Sequence, residues 1–131
     1  MKEMIYGNNQ FEILDMGTYK GKDYVIISMM GYHPCAYVHS NYDYTFKYEY
    51  DSPAHCGFTF YGSLSHWKHK DTLDEETKQF FNRCFIGWDY GHAGDYHGGC
   101  SFFEDDKKWT TEEILENVKE VIEWIRKKER E

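Results

Sequence analysis

The chain has 131 residues, a formal net charge of -8 and 19% Phe, Tyr or Trp. This length suits a single domain over residues 1-131, because two smaller cores would bury too little apolar surface, and the aromatic content argues against disorder. The acidity argues against a groove for long nucleic acid, which needs clustered Lys and Arg. No apolar run is long enough for a membrane span and no signal peptide is visible, so we expect a cytoplasmic location.

Short segments rich in β-branched and aromatic residues, separated by Gly, Asn, Asp and Pro, predict a series of strands. They are residues 11-16, 23-30, 35-38, 44-50, 57-61 and 84-89. Residues 17-22 look like a hairpin connection between the first two strands. Because hairpin spacings dominate and no βαβ pattern repeats, we expect a mostly antiparallel sheet.

Two helices are predicted from their capping boxes. Thr72 and Glu75 begin a short helix that runs to about Arg83, and Thr110 and Glu113 begin a longer one. In the longer helix apolar residues recur at helical spacing. They are Ile114, Leu115, Val118, Val121, Ile122 and Ile125. The predicted fold class is therefore α+β, with the C-terminal helix packed on one face of the sheet.

The strongest candidate site is the segment 87-99, which contains two Asp, two His and five of the chain's 11 glycines. All seven histidines lie between residues 33 and 97, and imidazole is both an acid-base group near neutrality and a metal ligand. Glycine lets a backbone approach a ligand closely, so Asp89, His92 and Asp95, with Trp88 beside them, are candidate site residues. An Asp beside a His suits general-base work or metal binding. The alternative is a turn in which the Asp side chains cap backbone amides.

A second candidate cluster surrounds the predicted strand 57-61. Alternation would place His55, Thr59 and Tyr61 on one face of an extended strand, with Phe58 and Phe60 on the other face. Polar groups on one side of a strand whose other side is core are typical of the floor of a pocket. The alternative is an ordinary strand with two differing faces.

The third cluster places His33, Cys35 and Tyr37 on one face by the same alternation. A catalytic thiol needs a base and a lowered pKa, so a buried apolar role is favoured for Cys35. The chain contains no C-x-x-C pair, and we expect its cysteines to be free thiols. An alternating set of tyrosines predicts either a stacking wall for a planar ligand or sheet packing. It consists of Tyr42, Tyr44, Tyr48 and Tyr50.

The three clusters read HPCAYV, HCGFTFYG and FIGWDYGHAGD. Together they resemble a family of small uncharacterised proteins encoded by bacteria and their phages, with the patterns H-x-C-G-Y-V, H-G-G-L-T-[YF]-x-G and G-[FW]-D-x-x-H-x-G-D. The chain departs from these patterns at Ala36 and Cys56, where the family has glycine. The resemblance implies a shared site and a phage-linked setting in the host cytoplasm, and it implies no reaction.

Three functions stay open at this stage. The first is a small-ligand-binding protein, in a phage a counter-defence protein that sequesters a nucleotide-derived signal. Its expected ligand-binding residues are His33, Tyr37, His55, Thr59, Tyr61, Trp88, Asp89, His92 and Asp95. The second is a small hydrolase of a nucleotide-like substrate, in which Asp89, His92, Asp95 and His55 supply acid and base or bind a metal. The third is an acidic inhibitor that binds a protein. A cofactor, a metal and a homo-oligomer also stay open.

Overall fold

The computed structural model of the chain describes residues 3-6, 9-29, 34-45, 52-64, 75-90 and 109-130. Its strands are β1 (Glu3–Tyr6), β2 (Asn9–Tyr19), β3 (Lys22–Met29), β4 (Pro34–His39), β5 (Phe60–Ser63) and β6 (Cys84–Asp89). Its helices are α1 (Glu75–Phe81) and α2 (Thr111–Glu129). The strands form one sheet in the order β1-β2-β3-β4-β6-β5, and all its pairings are antiparallel. The predicted α+β class is confirmed.

The connection between β2 and β3 is shorter than the sequence indicates. Only Lys20 and Gly21 lie outside the strands, with φ of 49° and 83°. A two-residue type I′ turn requires positive φ at both of its central residues. Hairpins favour this turn because its twist matches that of the flanking strands. The hairpin is therefore predicted correctly, but both strands extend into the expected loop.

Two predicted strands need correction. Residues 54-57 form a turn closed by a 2.9 Å hydrogen bond from the Gly57 N–H to the Ala54 carbonyl, with φ of 58° at Cys56. Left-handed backbone breaks the alternation of an extended strand, so the predicted shared face of residues 55-61 is wrong. The strand β5 begins at Phe60, three residues later than predicted. At 44-50, Thr45 lies in a turn in which Asp43 accepts its N–H, and residues 46-50 lie outside the described part of the chain.

The sheet is buried on both of its faces. We name the face that packs against α2 the α2 face. It comprises Tyr24, Ile26, Ala36, Val38, Ile86 and Trp88, packed against Ile114, Val118, Val121, Ile122 and Ile125 of the helix. The opposite, α1 face comprises Val25, Ile27, Cys35, Tyr37 and Phe85, packed against Leu64 and Phe81. The prediction that the C-terminal helix packs on one face is confirmed, although Leu115 is only partly buried.

The start of α2 also agrees with the sequence. The Thr110 side chain accepts the Glu113 N–H at 3.2 Å, and the Glu113 carboxylate accepts the Thr110 N–H at 3.1 Å. This capping box satisfies two backbone donors that the first helical turn leaves without partners. Among the helices that the structure describes, none is long and apolar enough to cross a membrane.

Candidate functional site

The described residues include six of the nine expected ligand-binding residues. His33, His92 and Asp95 lie outside the described ranges, so their place in a site stays a prediction. The other six are distributed over both faces of the sheet. Tyr37, Thr59 and Asp89 lie on or beside the α1 face, and His55, Tyr61 and Trp88 lie on the α2 face.

Asp89, at the end of β6, shares the α1 face with Cys35, because the two residues are register partners on neighbouring strands. Asp89 is half-buried, and the exposed Thr59 places its hydroxyl 3.4 Å from the Asp89 carboxylate. The backbone of Thr59 is fixed as well, since its N–H donates to the Gly87 carbonyl at 2.9 Å. The structure therefore brings Asp89 and Thr59 together at one end of the sheet.

The Cys35 thiol beside Asp89 is a neutral group. Burial raises the pKa of Cys35 to about 12, and the negative charge of Asp89 acts in the same direction. A thiol with this pKa carries almost no thiolate at neutral pH, and thiolate is the nucleophilic form. This agrees with the sequence-based preference for a buried apolar role, and it makes Cys35 an uncharged neighbour of the carboxylate.

Tyr37 lies on the same face, two residues further along β4, where Gly87 is its register partner. Its ring meets the edge of Phe60 at a centroid distance of 5.4 Å, and it lies against the backbone of Gly87. A Cβ at position 87 would lie only 2.6 Å from Tyr37 Cε1. The glycine is thus needed for the close approach of the tyrosine ring to β6.

His55 belongs to an aromatic group at the beginning of α2. Its ring stacks on Tyr90 with a centroid distance of 4.9 Å and an interplanar angle of 6°, and it contacts Trp109 at 4.8 Å. The backbone N–H of His55 donates to Asn117 Oδ1 at 3.2 Å. Because His55 lies on the other side of the sheet from Asp89 and Tyr37, it cannot share one pocket floor with them.

Asn117 is the central polar residue of this group, and the sequence reading missed it. Its Oδ1 accepts hydrogen bonds from Tyr90 Oη at 2.7 Å and from Trp88 Nε1 at 3.2 Å, and its Nδ2 donates to the Pro53 carbonyl at 2.7 Å. One side chain thus connects α2 to β6 and to the turn before β5. The available signal was an amide side chain between Ile114 and Val118 in the apolar stripe of the helix.

Tyr61 is the register partner of Ile86, and its hydroxyl lies towards the opposite end of the sheet from Asp89. Its hydroxyl donates to the Ser40 carbonyl at 3.4 Å. Burial raises the pKa of Tyr61, and the neighbouring Cys84 thiol contributes in the same direction. Tyr61 is therefore a neutral hydrogen-bond donor that is separate from the Asp89 end.

A metal site has no support within the described residues, where no three His, Cys, Asp or Glu side chains come close enough together to hold an ion. The group that the structure does assemble consists of Asp89, Thr59 and the neutral Cys35, at the point where β6 ends within segment 87-99. No protein-family model, curated protein or solved structure matches the chain.

Proposed function

We propose that this protein binds a small, polar, nucleotide-like ligand at the end of β6. The observation that carries the proposal is the position of Asp89, a half-buried carboxylate that pairs in register with Cys35 and lies 3.4 Å from the Thr59 hydroxyl. Polar groups held by a sheet make a binding site with little loss of freedom when a ligand enters.

The chemistry of this group indicates which end of a ligand it recognises. A carboxylate accepts hydrogen bonds, and the Thr59 hydroxyl both donates and accepts them. Ribose hydroxyls and the N–H groups of a base match these partners, whereas a phosphate beside Asp89 would meet like charge. We therefore assign the sugar or base of the ligand, and not its phosphate, to Asp89.

The biological role that fits such binding is sequestration of a nucleotide-derived signal by a phage counter-defence protein in the host cytoplasm. This part of the proposal rests on the resemblance of the three sequence motifs to a phage-linked family. The hydrolase alternative uses the same Asp89 as a catalytic group, so the experiment must follow the fate of the ligand as well as its retention.

The test is to mix the full chain with a panel of nucleotides and cyclic-nucleotide signals, remove unbound compounds, denature the protein by heat and analyse all fractions by HPLC and mass spectrometry. A compound that is retained and released intact supports the proposal. A compound released as product supports the hydrolase instead and overturns sequestration. Absence of both retention and conversion across the panel overturns ligand binding at this site.

Asp89→Asn provides the matching variant, since it removes the charge with almost no change in volume. A retained compound should raise the melting temperature of the parent protein, and the variant should lose this rise. The control is Glu120→Gln, which makes the same change at an exposed position of α2. Equal retention by the parent protein and Asp89→Asn would show that the ligand lies elsewhere.

A further inference from the structure

A second candidate site lies at the other end of the sheet, where an open cleft separates the residues after β4 from the last turn of α2. The cleft has a volume of about 290 Å³ and is lined by Tyr42, Tyr44, Lys128 and Glu129. An adjoining hollow of about 170 Å³ shares three of these residues and extends to Lys22. The cleft lies near Cys84, the first residue of β6, whereas Asp89 is the last residue of that strand. At about 3.4 Å per strand residue, Cys84 and Asp89 are about 17 Å apart.

Tyr42 is an exposed aromatic residue on a fixed backbone. Its side chain is 53% exposed, but Ser40 Oγ donates to its carbonyl at 2.8 Å and accepts its N–H at 3.2 Å. Ser40 is itself 3% exposed and is anchored by a 3.1 Å hydrogen bond from its N–H to the Cys84 carbonyl. An aromatic ring placed on an ordered backbone loses little freedom when a ligand stacks on it.

The Tyr42 ring continues an aromatic series that begins in the core. It contacts Tyr44 at a centroid distance of 4.8 Å, and the buried Tyr44 meets Trp124 of α2 at 5.3 Å in an edge-to-face arrangement. The first two tyrosines of the alternating set are thus in contact with each other, and Tyr48 and Tyr50 lie outside the described residues.

Two lysine ammonium groups lie at the cleft and its adjoining hollow. Lys22 forms an ion pair with Glu129, and Lys128 places its ammonium 5.3 Å from the centre of the Trp124 ring. The lining of the cleft and its hollow thus carries two ammonium groups and one carboxylate, in a chain of net charge -8. The adjacent Asp43 accepts hydrogen bonds from the N–H and hydroxyl of Thr45, which are neutral donors.

We propose that this cleft binds a small planar aromatic anion. Its ring stacks on Tyr42, and its anionic group lies near the ammonium groups of Lys128 and Lys22. Stacking on an aromatic side chain accepts any planar ring, so the lysines supply the preference for an anion. The site is independent of the function proposed for Asp89, because it shares no residue with that end of the sheet.

The test is an NMR titration of the full ¹⁵N-labelled chain with AMP, and with adenosine and inorganic phosphate as the separate halves of the probe. AMP should shift the amides of residues 40-44 and 128-129 in a saturable way, at lower concentration than either half. Tyr42→Ala should weaken AMP binding about tenfold, equivalent to about 1.4 kcal/mol, while Tyr42→Phe retains the ring and the binding.

The lysine contribution has its own matched pair of variants. Lys128→Gln should weaken AMP binding about threefold at low salt, as expected for an exposed charge contact. Lys127→Gln removes the same charge from an exposed neighbour that does not line the cleft, and it should leave the affinity unchanged. Equal losses in these two variants would overturn the assignment of Lys128.

Two results would overturn the proposal as a whole. One is an unchanged AMP affinity in Tyr42→Ala. The control for this variant is its NMR spectrum, which should superimpose on the parent spectrum for residues away from the cleft and so show that the fold is intact. The other is a set of shifts confined to residues around Thr59 and Asp89. That second result would support the function proposed for the Asp89 end while removing the cleft as a site, so the two proposals can fail separately.

Discussion

Gly87 of β6 and Tyr37 of β4 are register partners on the α1 face, and the tyrosine ring fills the space that a side chain at position 87 would need. A Cβ added there would also lie 3.2 Å from the Ala36 carbonyl oxygen, which belongs to the backbone and cannot move aside. The close fit between these two residues therefore depends on the missing side chain.

Gly87→Ala should destabilise the fold by about 1-3 kcal/mol, the usual cost of adding a methyl group to a tightly packed core. Urea unfolding followed by circular dichroism measures this as a lower midpoint. In the double variant Gly87→Ala/Tyr37→Leu the loss of unfolding free energy should be smaller than the sum of the losses in the two single variants. The reason is that the leucine removes the clash between the new methyl group and the Tyr37 ring. Additive losses would show that the ring and position 87 are not in contact.

Asn117→Leu should destabilise the protein by about 2-4 kcal/mol. The leucine has a similar volume, but it leaves the Pro53 carbonyl and the His55 N–H without their amide partner. Urea unfolding gives the free energy, and near-ultraviolet circular dichroism reports the packing of the aromatic side chains, Trp88 among them. Glu120→Ala, at an exposed position of the same helix, should stay within about 0.5 kcal/mol of the parent. A similar effect of both substitutions would contradict the central role of Asn117.

The ion pair between Asp23 and Arg83 should contribute stability that depends on pH. Burial acts to raise the pKa of Asp23, but hydrogen bonds from Thr18 and Arg83 outweigh it and hold the pKa below the ordinary value of 3.8. The folded protein thus keeps this carboxylate ionised where the unfolded chain is already protonated. The contribution is present above about pH 4 and is lost as the pH falls through the lowered pKa.

The measurement is the carboxyl chemical shift of Asp23 in an NMR pH titration, combined with unfolding of Asp23→Asn at several pH values. The stability difference between parent and variant should be constant near neutral pH and should shrink in acid. Thr18→Ala should move the Asp23 pKa upwards, because it removes the 2.5 Å hydrogen bond from the Thr18 hydroxyl. Titration of Asp23 at or above its ordinary value would contradict this account.

The native cysteines should react with iodoacetamide at very different rates. Cys56 and Cys84 are exposed, whereas Cys35 is buried and has a pKa raised to about 12 by burial and by Asp89. At about pH 8 the exposed thiols should be alkylated while Cys35 stays unmodified, because thiolate is the reactive form. Peptide mass spectrometry identifies each site, and reaction in denaturant is the control in which Cys35 should react. Alkylation of native Cys35 as fast as Cys84 would place it outside the core.

The sequence predicted best the elements whose signals are local. The Thr110 capping box and the apolar stripe that follows it locate α2, and runs of β-branched and aromatic residues bounded by turn residues locate β2, β3 and β6. These patterns depend on neighbouring residues alone, so a single sequence is enough to read them. The predicted class and the packing of the helix on the sheet follow from them.

The parts that the sequence did not predict depend on backbone conformation or on distant partners. Left-handed backbone at Cys56 is unusual for a residue with a side chain, so the sequence does not indicate that the expected alternation from His55 to Tyr61 is broken there. The alternation of side chains along a strand also indicates which residues share a face of the sheet, but it does not indicate which helix packs on that face. The sequence therefore predicts one site for His55 and Tyr37, although β-sheet pairing and α2 place them on opposite sides of the sheet. The contributions of His33, His92 and Asp95 stay predictions.

The position of β6 between β4 and β5 has a consequence for the order of folding. The pairings of β2 with β3 and of β3 with β4 join strands that are neighbours in sequence. By contrast, β4 and β5 can complete their hydrogen bonds only when Cys84–Asp89 is present. During synthesis, the β4-β6-β5 side of the sheet therefore cannot form until the chain has emerged beyond Asp89, and α2 covers the sheet last. Because pairing across a long sequence separation slows folding, the docking of β6 is expected to limit the rate.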